Sequence, residues 1–107
     1  MMEMRYSSEQ LEKVVNEGAI YMCACPAQVA VQIRHLRELY RYQTNCQTDP
    51  GNDQTVHQTI AAAALEAHVL MENCMETVLT MEGWDPVTLM MPEGLRRKRD
   101  ELLDLDE

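Results

Sequence analysis

The run from Asp53 to Glu82 constrains this chain most, because it carries helical signals from one end to the other. Asp49, Pro50, Gly51 and Asn52 break the chain ahead of it, Asp53 is placed as an N-cap accepting a backbone N–H, and Gly83 closes it. Between the caps, Val56, Ile60, Ala63, Ala67, Leu70, Cys74 and Met81 recur at steps of four and three, the last step a full seven. That is the period of a helix burying one stripe, and Ala64, Met71, Met75 and Val78 widen it. The small side chains from Ala61 to Ala64 would let a partner helix approach closely. At about 1.5 Å per residue the helix spans roughly 45 Å, long for a compact domain of this size, whose radius of gyration is about 13 Å.

The expectation is therefore an all-α antiparallel helical bundle built on one long helix over 53–82. Such a chain is elongated, or it shares its core with a second copy, two hairpins of a homodimer completing a four-helix core. With 107 residues, 46% of them hydrophobic, there is enough for one domain and one core. No Phe and one Trp against nine Met make that core aliphatic and methionine-filled, with some Met free to serve an interface.

Shorter helices are expected over 7–24, 26–43, 86–91 and 95–105. Residues 1–6 read as a frayed start, after which Ser7 and Gln10 fit a reciprocal capping box, and Leu11, Val14, Val15, Gly18 and Met22 form one face. Cys25-Pro26 breaks or kinks the chain, since proline removes a donor and biases the residue before it away from helix. Val29, Ile33, Leu36 and Tyr40 then form an apolar stripe, while Arg34, Arg37 and Arg41 keep the same rhythm one residue later and so occupy another face. After Gly83, Trp84 is placed to fold back as an anchor, and Asp85-Pro86 reads as cap and first residue of a short helix. The last segment puts Arg96, Arg97, Lys98 and Arg99 ahead of Asp100, Glu101 and Asp104, an order that opposes the helix dipole.

The formal charge of −9 argues against affinity for nucleic acid or anionic membrane. From Tyr42 to Leu95 there is no Lys or Arg, while Asp49, Asp53, Glu66, Glu72, Glu76, Glu82, Asp85 and Glu93 are acidic. The arginines of the second helix are expected to pair with these acids or to meet a protein partner. No apolar run approaches the roughly 20 residues that span a bilayer, and the first residues lack the order of a secretory signal, so a cytoplasmic protein is expected. In that compartment Cys23, Cys25, Cys46 and Cys74 stay mostly as thiols or metal thiolates.

Two constellations bear on chemistry. Cys25 at a helix start, with Cys23 two residues earlier, is a redox or metal-ligand candidate, because helix N-termini stabilise a thiolate. The competing reading, favoured on the burial habits of cysteine, is a pair of small buried side chains at a helix junction. Cys46 lies a helix length away from that pair, which argues against one four-cysteine site within the chain. On the long helix His57 and His68 share a face and Glu72 follows His68 by four, so His68 and Glu72 together are a metal candidate. The helical di-iron pattern fails, since Gln54 and Leu65 stand where it needs Glu, and a solvated polar face is the favoured expectation.

The reading for function is a small acidic helical protein-interaction or regulatory module, homodimeric, with Arg34, Arg37, Arg41, Met71 and Met75 as interaction residues and no cofactor required. No catalytic constellation supports an enzyme. The alternative is a thiol-redox or metal-binding protein using Cys23 and Cys25.

Overall fold

The computed structural model of the chain describes residues 2–18, 25–46 and 54–105. Four helices run through them: α1 (Ser8–Gly18), α2 (Cys25–Cys46), α3 (Gln54–Glu82) and α4 (Glu93–Leu105), and there is no strand among the described residues. The Asp53 cap and Cys23 lie outside them. The molecule measures 54 × 29 × 18 Å, and its radius of gyration of 16.9 Å exceeds the roughly 13 Å of a compact chain this long.

Local sequence sets most helix ends. Ser7 Oγ accepts the Gln10 N–H at 3.0 Å while Gln10 Oε1 accepts the Ser7 N–H at 2.8 Å, the reciprocal box expected ahead of α1. At the other end of α3, Gly83 takes a φ of 78°, and the pair of bonds Trp84 N–H to Leu79 O (3.0 Å) and Gly83 N–H to Thr80 O (3.1 Å) forms a Schellman cap. That cap turns Trp84 back onto Leu79, and both are buried in the core. The short helix expected over 86–91 is instead a turn. Asp85 accepts the N–H groups of Val87 and Thr88, both at 2.8 Å, but Leu89 adopts a φ of 59° and ends it after one turn, and burial of the Leu89 side chain holds it there.

Helices α2 and α3 form an antiparallel hairpin, as Arg37 meets His68 and Glu72 while Gln43 meets His57. α1 packs along α2, so the core joins Leu11 and Val14 of α1 to Ala30 and Ile33 of α2 and to Met75 and Leu79 of α3, with Trp84, Leu89 and Met91 closing it. α4 attaches through charge: Glu17 of α1 accepts the Met91 N–H at 3.1 Å and ion-pairs with Arg96 and Arg99. Arg99 also donates to the Glu17 carbonyl at 3.0 Å, one of the acceptors left open where α1 ends. These bonds supply what the unfavourable order of charges along α4 lacks.

The rotational phase of α3 corrects the expectation. Its buried residues are Ala61, Ala64, His68, Glu72, Met75 and Leu79, whereas Val56, Leu70 and Met81 are 50%, 69% and 79% exposed. Ala63 and Cys74 are exposed as well, and Ile60 and Ala67 are half-buried. The main series from Val56 to Met81 therefore faces largely outward in the single chain, while of the residues expected to widen it Ala64 and Met75 are buried and Met71 and Val78 half-buried. Two polar residues, His68 and Glu72, occupy the inner face, so the apolar side chains weight the helix toward its other side.

Candidate functional site

The inner face of the hairpin carries a sealed polar cluster. Arg37 on α2 and His68 and Glu72 on α3 are only 6%, 1% and 2% exposed, so His68 and Glu72, expected on a solvated polar face, are buried, while Arg37 pairs with an acid across the helices as expected of the α2 arginines. Arg37 Nε donates to His68 Nε2 at 3.0 Å, and Arg37 Nη2 donates to Glu72 Oε2 at 3.0 Å and to the Tyr6 carbonyl at 2.6 Å. The four-residue spacing of His68 and Glu72 stacks them on one helix face, with Nδ1 3.7 Å from Oε1. Because Nε2 accepts a bond, His68 is the neutral tautomer carrying its proton on Nδ1. Burial, the largest cause, pushes its pKa below the ordinary value; the Arg37 charge adds to this and the Glu72 charge opposes it.

The N-terminal segment closes the cluster instead of fraying. Glu72 Oε2 accepts the backbone N–H groups of Arg5 (2.9 Å) and Tyr6 (3.2 Å), and the Arg5 side chain reaches Asn73 and Glu76. Met2 is buried, and burial raises the Tyr6 hydroxyl pKa. Arg37 Nη1 is buried with no hydrogen-bond partner among the described residues, and Arg37 borders a cavity of about 210 Å³ shared with Met2, Met4, Tyr40, Arg41 and Thr44.

The guanidinium of Arg37 fills the space between His68 Nε2 and Glu72 Oε2, which is where an ion held by both residues would sit. Among the described residues no group of three or more His, Cys, Asp or Glu is placed to hold a metal. As placed, the cluster is a structural joint, with formal charges of opposite sign paired and hydrogen-bonded across α2, α3 and the N-terminal segment.

The other candidates separate. Cys25 is exposed at the first position of α2, which corrects the expectation that it is buried, and Cys46 lies at the last position, roughly 31 Å away along a straight helix. Cys74 is exposed on the outer side of α3. Of the five residues assigned to interaction, Met75 is fully buried in the core, Met71 is half-buried against it and Arg37 is in the cluster. Arg34 and Arg41 are exposed.

The surface feature that period alone could locate but not orient is the second face of the hairpin. On α3, turning one way from the buried seam reaches Glu72, Asn73 and Glu76, where the N-terminal segment binds. Turning the other way reaches Ile60, Ala67, Cys74 and Leu70. The same rotation on α2 leads away from Arg37 and Arg41 to Leu36, half-buried, and Leu39, 40% exposed. The N-terminal segment and α1 roof one side of the hairpin, and on the opposite side α2 and α3 share an apolar face that no other described helix covers.

Compared with known proteins, the chain matches no family model, no curated protein and no solved structure. The class of protein rests on the fold: all-helical, with no described helix long and apolar enough to cross a membrane.

Proposed function

We propose that the protein is a small acidic helical interaction module that works as a homodimer through the uncovered face of the α2–α3 hairpin. The observation that carries this reading is the exposed stripe of α3, with Val56, Leu70 and Met81 at least half exposed and no charged residue in the series from Val56 to Met81. A contiguous apolar face of this kind is a docking surface in soluble proteins. Its area suits a second copy. The 22 residues of α2 set a length of roughly 33 Å, and two helix diameters set a width of roughly 20 Å. Two such faces together bury about 1,300 Å², within the range of stable interfaces.

Leu70→Glu tests it without touching the monomer's core, since Leu70 is 69% exposed. Burying one leucine from each copy contributes about 3–6 kcal/mol in total, so the substitution weakens association by about a hundredfold or more. Light scattering across a concentration series should give twice the chain mass for the wild type and one chain mass for the variant. Raising salt should tighten the wild-type dimer, because each copy carries −9 and screening relieves their repulsion; a wild type that stays monomeric rejects the reading.

Cys25 supports a second reading as a thiol-redox or metal-binding site with Cys23, because it is exposed at the start of a 22-residue helix, where the dipole favours thiolate. Alkylation of Cys25 at neutral pH faster than that of an unfolded peptide thiol, lost in Cys25→Ser, would establish a reactive thiol; labelling at the unfolded rate would dismiss it.

A further inference from the structure

The geometry points to one arrangement of the two copies, resting on the dimer reading above: α3 lies antiparallel on the partner's α3 about a two-fold axis that crosses it between Ala67 and Leu70 and crosses α2 between Leu36 and Leu39. The outer stripe of α3, with Thr77 included, runs Val56, Ile60, Ala63, Ala67, Leu70, Cys74, Thr77 and Met81 at steps of 4, 3, 4, 3, 4, 3 and 4. That series reads the same in both directions, so an antiparallel copy centred on its midpoint places the stripe in register with itself. A C2 interface requires such self-complementarity.

The layers that result match in bulk. Val56 meets the partner's Met81, Ile60 the partner's Thr77, Ala63 the partner's Cys74 and Ala67 the partner's Leu70. A small residue thus faces a larger one through the middle, which suits helices approaching at about 8–10 Å. Beside the stripe, Glu66 falls next to the partner's Asn73, so its carboxylate meets an amide donor instead of a second Glu.

The second helix supplies an independent check. A two-fold axis must cross both helices of the hairpin at one level. On α2 the apolar positions turned toward this face are Leu36, half-buried, and Leu39, 40% exposed, with their midpoint between them. Arg37 sits at that midpoint, and its 3.0 Å bond to His68 places it level with the midpoint of the α3 stripe. One axis therefore serves both helices, setting Leu36 on the partner's Leu39 and closing a four-helix core from two hairpins.

The register is tested by disulfide trapping in a chain carrying C23S, C25S and C46S, so that Cys74 is the remaining thiol. Adding A63C, at an exposed site, sets each new thiol against the partner's Cys74. Within one copy the two lie about 16 Å apart along the helix, beyond disulfide reach. Mild oxidation with copper phenanthroline should convert most of the A63C protein to a covalent dimer on a non-reducing gel, leave the Cys74-only protein uncross-linked, and lose the cross-link when L70E is added. Efficient cross-linking of the Cys74-only protein would mean a parallel register and overturn the arrangement. Twice the chain mass without an A63C cross-link would also overturn it while leaving the dimer standing, and a single chain mass would remove both.

Discussion

Replacing Glu72 with Leu should be among the most destabilising single substitutions in the chain. Glu72 is 2% exposed, and one of its oxygens accepts from Arg37 Nη2 and from the N–H groups of Arg5 and Tyr6. Its loss leaves the Arg37 guanidinium 6% exposed with no counter-charge, holding only the Tyr6 carbonyl and a neutral His68. Breaking a buried ion pair by removing one partner costs about 3–5 kcal/mol, against a total stability of about 5–15 kcal/mol. At about 4 °C per kcal/mol for a domain near 100 residues, the melting temperature should fall by about 12–20 °C. Removing the whole cluster is a different perturbation. The triple variant R37M/H68L/E72L leaves no buried charge and keeps comparable volume, so it should recover most of the loss. Urea unfolding followed by far-UV circular dichroism, at one protein concentration throughout because association adds to apparent stability, measures both variants. The reasoning is refuted if E72L costs less than about 1 kcal/mol, or if the triple variant is less stable than E72L.

Three further outcomes follow from named contacts. His68 has its pKa depressed in the folded state, with Arg37 of α2, Glu72 of α3 and the Arg5–Tyr6 segment facing it, so the unfolded chain binds more protons below about pH 6.5. Stability should therefore fall as pH drops below about 6.5 and down through the folded pKa, and the urea midpoint of His68→Gln should lack that part of the slope. Gly83→Ala places a β-carbon where nothing lies within 4 Å, so its cost is the left-handed backbone alone, about 1–2 kcal/mol, read from Trp84 fluorescence during unfolding. Glu17→Gln removes the anion shared by Arg96 and Arg99 and should let trypsin cut α4 at the exposed Arg97 and Lys98 faster, with α1 to α3 left intact; unchanged digestion would show that α4 is held by other contacts.

What the sequence displayed were features decided within a few residues. The Ser7–Gln10 box, the Gly83 cap and the return of Trp84 all depend on neighbours three to five positions apart, and all formed. The turn at Asp85 was half legible: the side chain caps two N–H groups as a helix start would, and the left-handed Leu89, drawn into the core, decided against continuation. Illegible were the arrangements whose partners lie far away in sequence. Arg37 reaches His68 across 31 residues and Arg5 reaches Glu72 across 67. Nothing in the local rhythm of α2 or α3 marks those three side chains as buried. Residues 1–6 read as a loose end because their anchor, the Glu72 carboxylate, is on another helix.

The error in the phase of α3 follows from the same cause and is informative. Hydrophobic period assumes that the apolar side of a helix is the side facing its own chain. Here the chain packs α3 by a side carrying His68 and Glu72, which is stable because each polar group there finds a charged or backbone partner. The apolar stripe is then left over. A helix with two buriable sides, one polar and satisfied within the chain, the other apolar and exposed, has more apolar surface than a single copy covers. The 16.9 Å radius of gyration has the same origin: α2 and α3 extend past the short α1, so the described residues roof only one side of the longest hairpin. On the dimer reading proposed above, the period signals burial against a second copy, and L70E tests it, since a stripe buried within the chain would unfold on that substitution and a stripe buried between chains only dissociates.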